Sequence, residues 1–243
     1  MNTFSYALLS MLTLLTPPST AAETPGVALV ELYTSQGCSS CPAADRVLAK
    51  WQGKASEGVF LLAFHVDYWD YLGWRDPFGS KSYSTRQREQ AQALGERVYT
   101  PQMVINGEKA LVGSKEASAL TLLKEALARP VSVKLTLTVE ELSPEQIRVN
   151  HLVTTALPQG AVLHFALAED GLQTPVPRGE NSGKKLYNTG VVRGYHEAPL
   201  QERGSIVLSL AKVSAKGQCR VIAWVTAGAY GTVLGAQALK LQQ

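Results

Sequence analysis

Two hydrophobic periods divide the chain. Up to about residue 129 the apolar positions come in continuous runs or at helical spacing; beyond it they alternate strictly with polar ones. "GVALVELYTS" (26–35) is apolar and β-branched and ends in polar turn residues, which predicts a buried strand. "SCPAADRVLAKWQ" (40–52) predicts a helix: Pro42 suits a first turn, Ala44, Val47, Leu48 and Trp51 recur at helical spacing, and Gly53 closes it. "GVFLLAFHVDYW" (58–69) is long and continuously apolar, as in a parallel sheet covered on both faces. "SKSYSTRQREQAQALG" (80–95) reads as a polar helix stopped at Gly95. "TPQMVING" (100–107) is a short strand closing on the turn pair Asn106-Gly107, and "EKALVGS" (108–114) pairs back on it. "SKEASALTLLKEALA" (114–128) is an amphipathic helix with Ser114 as N-cap and Ala117, Leu120, Leu123 and Leu127 on one stripe. The order β-α-β-α-β-β-α predicts a parallel pair extended by an antiparallel hairpin.

At Pro130 the helical period stops. Val131, Val133, Leu135, Leu137 and Val139 alternate with Ser132, Lys134, Thr136 and Thr138, the pattern of a half-buried antiparallel strand. "QIRVNHLVTT", "AVLHFALAED", "GSIVLSLAKV", "CRVIAWVTAG" and "VLGAQALKL" continue the series. Short strands at regular spacing between Gly/Pro turns predict a β-sandwich. The expected architecture is therefore an α/β domain over 24–129 followed by an all-β sandwich-like domain over 131–243.

Composition narrows the partners. Over 243 residues, 45% are apolar and 18% charged, a globular balance that excludes disorder. Net charge is +3 with no basic run, so no nucleic acid or anionic membrane is expected as partner. The first 22 residues carry no charged side chain. "FSYALLSMLTLL" followed by "TPPSTAA" reads as a signal peptide over 1–22, with an A-x-A-like cleavage site. No other apolar run is long enough to span a bilayer, so a periplasmic or secreted chain without a stable membrane span is expected.

The chain has three cysteines, and Cys38 and Cys41 fall together in "YTSQGCSSCPAADRVL". Cys219, in a strand-like stretch, reads as a small buried hydrophobe. With the helix expected from about Ser39, Cys38 would sit at its N-terminus, where backbone N–H groups favour thiolate, and Cys41 would lie one turn further in, able to resolve a mixed disulfide. Structural zinc lacks its fourth ligand. Copper held by Cys38, Cys41 and His65 is the alternative chemistry, since thiolate and imidazole suit that metal. A redox-inert binding module is the third reading. Otherwise no cofactor is expected beyond the redox-active pair: electrons would pass to or from exported protein substrates or a redox partner protein.

Strand, Cys-x-x-Cys at a helix start and a later Thr-Pro opening a strand resemble the thioredoxin-like pattern. With "HVDYWDYLGWRDPFGS", "YTPQMVING" and "RGENSGKKLYNTGVVR", nearly the whole chain resembles the DUF1223 family of bacterial secreted thioredoxin-like proteins. The resemblance implies a thioredoxin-like first domain and thiol–disulfide oxidoreductase activity. It makes Cys38 the nucleophile, Cys41 the resolving thiol, Pro101 a cis-proline facing the pair, and Thr100 a backbone contact for substrate. It also puts Glu31 near the place of an acid that assists the second thiol, one residue out of register. Glu31 reads either as that proton relay or as a solvated strand-end carboxylate.

Among the loop aromatics after the second strand, Tyr68, Trp69 and Trp74 are candidates for gripping a substrate beside the thiols, or for packing the loop. His65 reads as a packed or hydrogen-bonded strand-end residue rather than a ligand. "RGENSGKKLYN" fails as a phosphate loop: Gly179 to Gly183 is one residue short and Lys185 replaces the hydroxyl residue. It reads as a glycine-rich loop, with covering the dithiol as one role open to it.

Overall fold

Every side chain of the first two strands is buried, which requires cover on both faces of the sheet they form. A computed structural model describes residues 25–242; the leader expected over 1–22 lies outside them. In chain order the elements are β1 (Ala28–Thr34), α1 (Cys41–Lys50), β2 (Val59–His65), α2 (Lys81–Ala93), β3 (Gln102–Ile105), β4 (Lys109–Val112) and α3 (Glu116–Leu127). Then follow β5 (Leu135–Ser143), β6 (Gln146–Val153), β7 (Val162–Glu169), β8 (Leu172–Pro175), β9 (Lys185–Asn188), β10 (Val191–Pro199), β11 (Arg203–Ser209), β12 (Cys219–Thr226) and β13 (Val233–Lys240). No helix among the described residues is long and apolar enough to cross a membrane.

The expected architecture of an α/β thioredoxin-like domain followed by a separate all-β sandwich-like domain is incorrect. One eight-stranded mixed sheet, in the order β13-β12-β7-β10-β2-β1-β3-β4, runs through both halves of the sequence. β1 and β2 are parallel, β3 and β4 antiparallel, and β10 joins the outer edge of β2 through Val191 opposite Ala63 and the Ala63 N–H to Gly190 O bond of 2.7 Å. Three strands in the order β11-β6-β5 form a second sheet. Their inward Leu135, Leu137, Ile147 and Val149 pack on Leu163, Phe165 and Val221 of the large sheet. The sandwich is thus half built from the sheet that also carries the cysteines. The strand that makes the join, β10, was not expected. Gly194 and a register shift between Val192 and Gly194 break its alternation, so it gives no clean period-two signal.

Face parity explains the layers. Ala28, Val30 and Leu32 of β1 and Val59, Leu61 and Ala63 of β2 pack against Ala44, Val47 and Leu48 of α1 and Ala119, Leu123 and Ala126 of α3. Each large apolar side chain so buried contributes about 1.5–3 kcal/mol. Of the expected α3 stripe Leu123 is buried and Leu127 partly so, Ala119 and Ala126 complete the buried face, and Leu120 is exposed. Leu29, Tyr33, Phe60, Leu62 and Phe64 point to the opposite face, where they share a core with Ala166, Ile222 and Trp224 under α2. Helix α2 is capped by Ser80, whose hydroxyl accepts from Ser82 N–H at 3.3 Å. Its buried face is polar (Ser84, Arg86, Gln87, Gln90) and is held by hydrogen bonds rather than by an apolar stripe.

Candidate functional site

The chain turns after Thr34 and reaches α1 at Cys41, with Pro42 in the first turn. Cys38 N–H donates to Ser35 O at 3.2 Å and Cys41 N–H to Cys38 O at 3.3 Å. The helix begins at Cys41, not at about Ser39: Ser39 and Ser40 belong to the turn, and Cys38 stands two residues before the N-cap. The helix dipole fades within a turn, so discrete hydrogen bonds govern the Cys38 sulfur. Its thiol is lowered to about 6, first by the hydrogen bond from Cys41, then by the Ser40 and Thr100 hydroxyls and the Ser40 N–H, against the opposing effect of burial. The Ser40 and Thr100 hydroxyls lie 3.3 and 3.4 Å from the sulfur. Burial pushes the Cys41 thiol far above its ordinary value, reinforced by the Cys38 sulfur and the Asp45 carboxylate. The pair therefore divides into one acidic sulfur and one that holds its proton.

The Thr100–Pro101 peptide is cis, and the Thr100 hydroxyl that reaches Cys38 accepts from Trp69 Nε1–H at 2.8 Å. Gly37 admits this close approach: a Cβ there would lie 3.0 Å from Trp69 Cβ. Trp74 Nε1–H donates to Gln36 Oε1 at 3.3 Å, whereas Tyr68 is bonded through its hydroxyl to Gln87. Trp69 and Trp74 thus brace the cysteine turn, and Tyr68 anchors α2. Beside them Tyr71, which the sequence reading passed over, is 77% exposed.

The glycine-rich loop docks on the cysteine turn. The hairpin of β8 and β9 brings Asn181, fully buried, to donate from Nδ2 to both Gln36 O and Cys38 O at 2.9 Å. Glu180 accepts from Ser39 N–H at 3.0 Å, and Gln36 Nε2 reaches Thr174 and Asn188 of the hairpin at 3.0 Å. Cys38 is left 1% exposed. Asn181→Ala is expected to lower stability by about 1–3 kcal/mol, because it orphans the Gln36 carbonyl and leaves the Cys38 carbonyl with the Cys41 N–H alone, and to speed alkylation of Cys38 several-fold. Urea unfolding and iodoacetamide kinetics check the two effects.

Glu31 is not beside the thiols. It lies on the β1 face opposite α1, where Arg86 Nη2 donates to its Oε1 at 2.5 Å and Gln90 Nε2 to its Oε2 at 2.7 Å. Arg86 also donates to Tyr195 and lies over the rings of Phe64, Tyr195, Trp224 and Tyr230. The acid near Cys41 is instead Asp45, one helical turn on, where i and i+4 side chains adjoin. Asp45 accepts from the Thr34 hydroxyl at 3.0 Å, and burial raises its carboxyl to about 7. Helical spacing from Cys41 was the signal that could have found it.

His65 is packed and paired. Its Nδ1–H donates to Asp76 Oδ2 at 2.7 Å, with both side chains at most 1% exposed. Among the described residues no group of three or more His, Cys, Asp or Glu side chains is placed to hold a metal, so the copper set of Cys38, Cys41 and His65 finds no geometric support. Cys219 is buried in the second core, away from the pair.

Fold and site together define a class: a mixed eight-stranded sheet whose first strand leads through a covered Cys-x-x-Cys turn into a helix. The chain belongs to the family described as "Protein of unknown function (DUF1223)", whose model matches residues 29–226. It is similar to a solved structural-genomics protein from Agrobacterium tumefaciens at 25% identity and a TM-score of 0.66, over 90% of this chain and 96% of that one. A domain of the outer membrane lipoprotein Omp28 from Porphyromonas gingivalis aligns at 13% identity and a TM-score of 0.29, over 46% of this chain and 89% of that one, a likeness too low to carry an argument. No curated protein matches the chain.

Proposed function

We propose that the protein is a thiol–disulfide oxidoreductase acting on exported proteins through Cys38 and Cys41. The observation that carries this reading is the asymmetry of the pair: hydrogen-bond donors converge on one sulfur and lower it, while burial holds the proton on its neighbour. A thiolate is the attacking form, and its partner must stay protonated until a mixed disulfide exists. Cys38 attacks, Cys41 resolves, and electrons pass to or from a partner protein with no nucleotide or flavin. At 1% exposure the Cys38 sulfur meets a substrate only when the segments over it shift. The hairpin loop, Trp69 and the Thr100–Pro101 segment then form the surface that a substrate meets. The apolar N-terminal stretch supports a periplasmic or secreted location, where such substrates occur.

The test is alkylation of Cys38 as a function of pH, together with redox titration of the pair against glutathione. The alkylation rate is expected to rise with pH through about 6 and level off above it. An ordinary thiol response, with a midpoint of about 8.5, or a pair that never equilibrates with glutathione, overturns the reading.

A further inference from the structure

One buried polar atom near the cysteines has no partner. His65 gives its Nδ1 proton to Asp76, but its Nε2 is buried and makes no hydrogen bond among the described residues. Leaving such an atom unpaired costs about 1–3 kcal/mol, so its position calls for a reason.

The register supplies one. Thr34 and His65 are directly opposite in the parallel β1–β2 ladder, so their side chains leave the sheet on the same face, the one that α1 covers. The Thr34 hydroxyl is bonded to Asp45 on α1. Asp45 in turn lies one turn beyond Cys41. Buried polar side chains therefore line this face from Cys41 through Asp45 and Thr34 to His65, with hydrogen bonds joining Thr34 to Asp45 and His65 to Asp76. The row ends at Asp76, which is fixed by Gln36 N–H at 2.8 Å and Phe78 N–H at 2.9 Å. Gln36 belongs to the cysteine turn itself, so the row closes back on the site it leaves.

We propose that the His65–Asp76 dyad is a positioning device for the resolving step: the imidazole, held by Asp76, presents the charge that sets how readily Asp45 accepts the proton of Cys41. The proposal rests on the exchange reading above. In the step, the Cys41 thiol gives its proton to the Asp45 carboxylate and its sulfur attacks the Cys38 sulfur of the mixed disulfide. The Cys38–Cys41 bond forms and the bond from Cys38 to the substrate sulfur breaks. The substrate leaves as a thiolate and takes up a proton, so one substrate disulfide is consumed and one protein disulfide is made.

The electrostatics agree in sign. Burial raises Asp45, and the charge of His65 is the first influence that opposes it, followed by the Thr34 hydrogen bond; Asp76 and Cys38 add to the rise. Burial pulls His65 down, but the charge and hydrogen bond of Asp76, helped by Asp45, outweigh it, while Arg193 of β10 opposes them. Asp76 is held below its ordinary value: burial works against this, and His65 with the two backbone N–H bonds overcomes it. Removing the imidazole thus leaves, of these influences, only the Thr34 hydrogen bond to oppose burial and the Asp76 charge, which hold the Asp45 proton on.

The experiment follows the Asp45 carboxyl by carbon NMR in aspartate-labelled protein, its signal assigned by Asp45→Asn. In parallel, the rate of resolution of a preformed mixed disulfide is measured against pH. His65→Gln is expected to raise the Asp45 midpoint by about one unit and to slow resolution at pH 6 about tenfold. The Cys38 alkylation profile should stay in place. Asp76→Asn removes the partner that keeps the imidazole charged but also a charge that itself raises Asp45; the His65 influence is the larger, so the shift should have the same direction and a smaller size, and this variant carries the test where His65→Gln does not fold. An Asp45 midpoint that stays put in a folded variant of a protein that exchanges disulfides overturns the role of the dyad alone. A wild-type protein that forms no mixed disulfide overturns the exchange reading, and the resolving role falls with it.

Discussion

Cys38→Ser abolishes disulfide exchange, and Cys41→Ser stops it one step later: this is the largest effect expected of any pair of substitutions in the chain. A serine hydroxyl in place of the Cys38 sulfur is no nucleophile at neutral pH, so the four donors that converge there would find nothing to activate. Cys41→Ser leaves the attacking sulfur and keeps a hydroxyl able to donate to it, so the first step survives and the mixed disulfide accumulates. Non-reducing electrophoresis with a disulfide-bonded test protein should show this adduct for Cys41→Ser and not for Cys38→Ser. Cys41→Ala goes further. It removes the donor that lowers Cys38 most, so the alkylation midpoint should move up from about 6. Retained turnover in either single serine variant would refute the assigned roles.

The second large effect is on stability. Glu31→Leu should cost about 3–5 kcal/mol, because it leaves the Arg86 guanidinium buried without its counter-charge. The loss reaches both halves of the chain: Arg86 also bonds Tyr195 of β10, which bonds His164 of β7, and it lies against Trp224 of β12. Glu31→Leu combined with Arg86→Leu should recover part of the loss, since two removed charges leave none stranded. The Cys38 alkylation profile should not move in either variant, because Glu31 faces α2 and the sulfurs lie at the start of α1. Urea unfolding and alkylation kinetics on the same samples separate this structural role from the proton relay once open to Glu31. A shifted alkylation profile in the single variant would reinstate the relay.

Glu31 and Asp45 show how far sequence reasoning reached. Glu31 sits between Val30 and Leu32, whose side chains face α1, so strand alternation alone sends it to the other face. What waits there, Arg86, is 55 residues away and enters only when α2 crosses the sheet. Asp45 was within reach, four residues after Cys41 on a helix whose spacing was plain. The helix start was misjudged because Ser39 and Ser40 are good cap residues, yet the Ser40 hydroxyl faces the Cys38 sulfur and makes no cap bond. Asn181 and Glu180 lie more than 140 residues from the turn they hold, and no local period announces such a contact.

By itself the sequence determined the succession of elements in the first half, most of the alternating strands of the second and the spacing of the cysteine pair. Each follows from side-chain periodicity and local turn chemistry, which act over a few residues. Tertiary structure decided that β10 adds to the free edge of β2, making one sheet of two expected layers. It also decided that the β8–β9 hairpin closes over Cys38, and that Asp45 of α1 lies over the sheet face that carries Thr34 and His65. Edge pairing and side-chain meeting depend on backbone groups and distances that are alike for every strand and absent from any local pattern. The chain had to fold before they could be chosen.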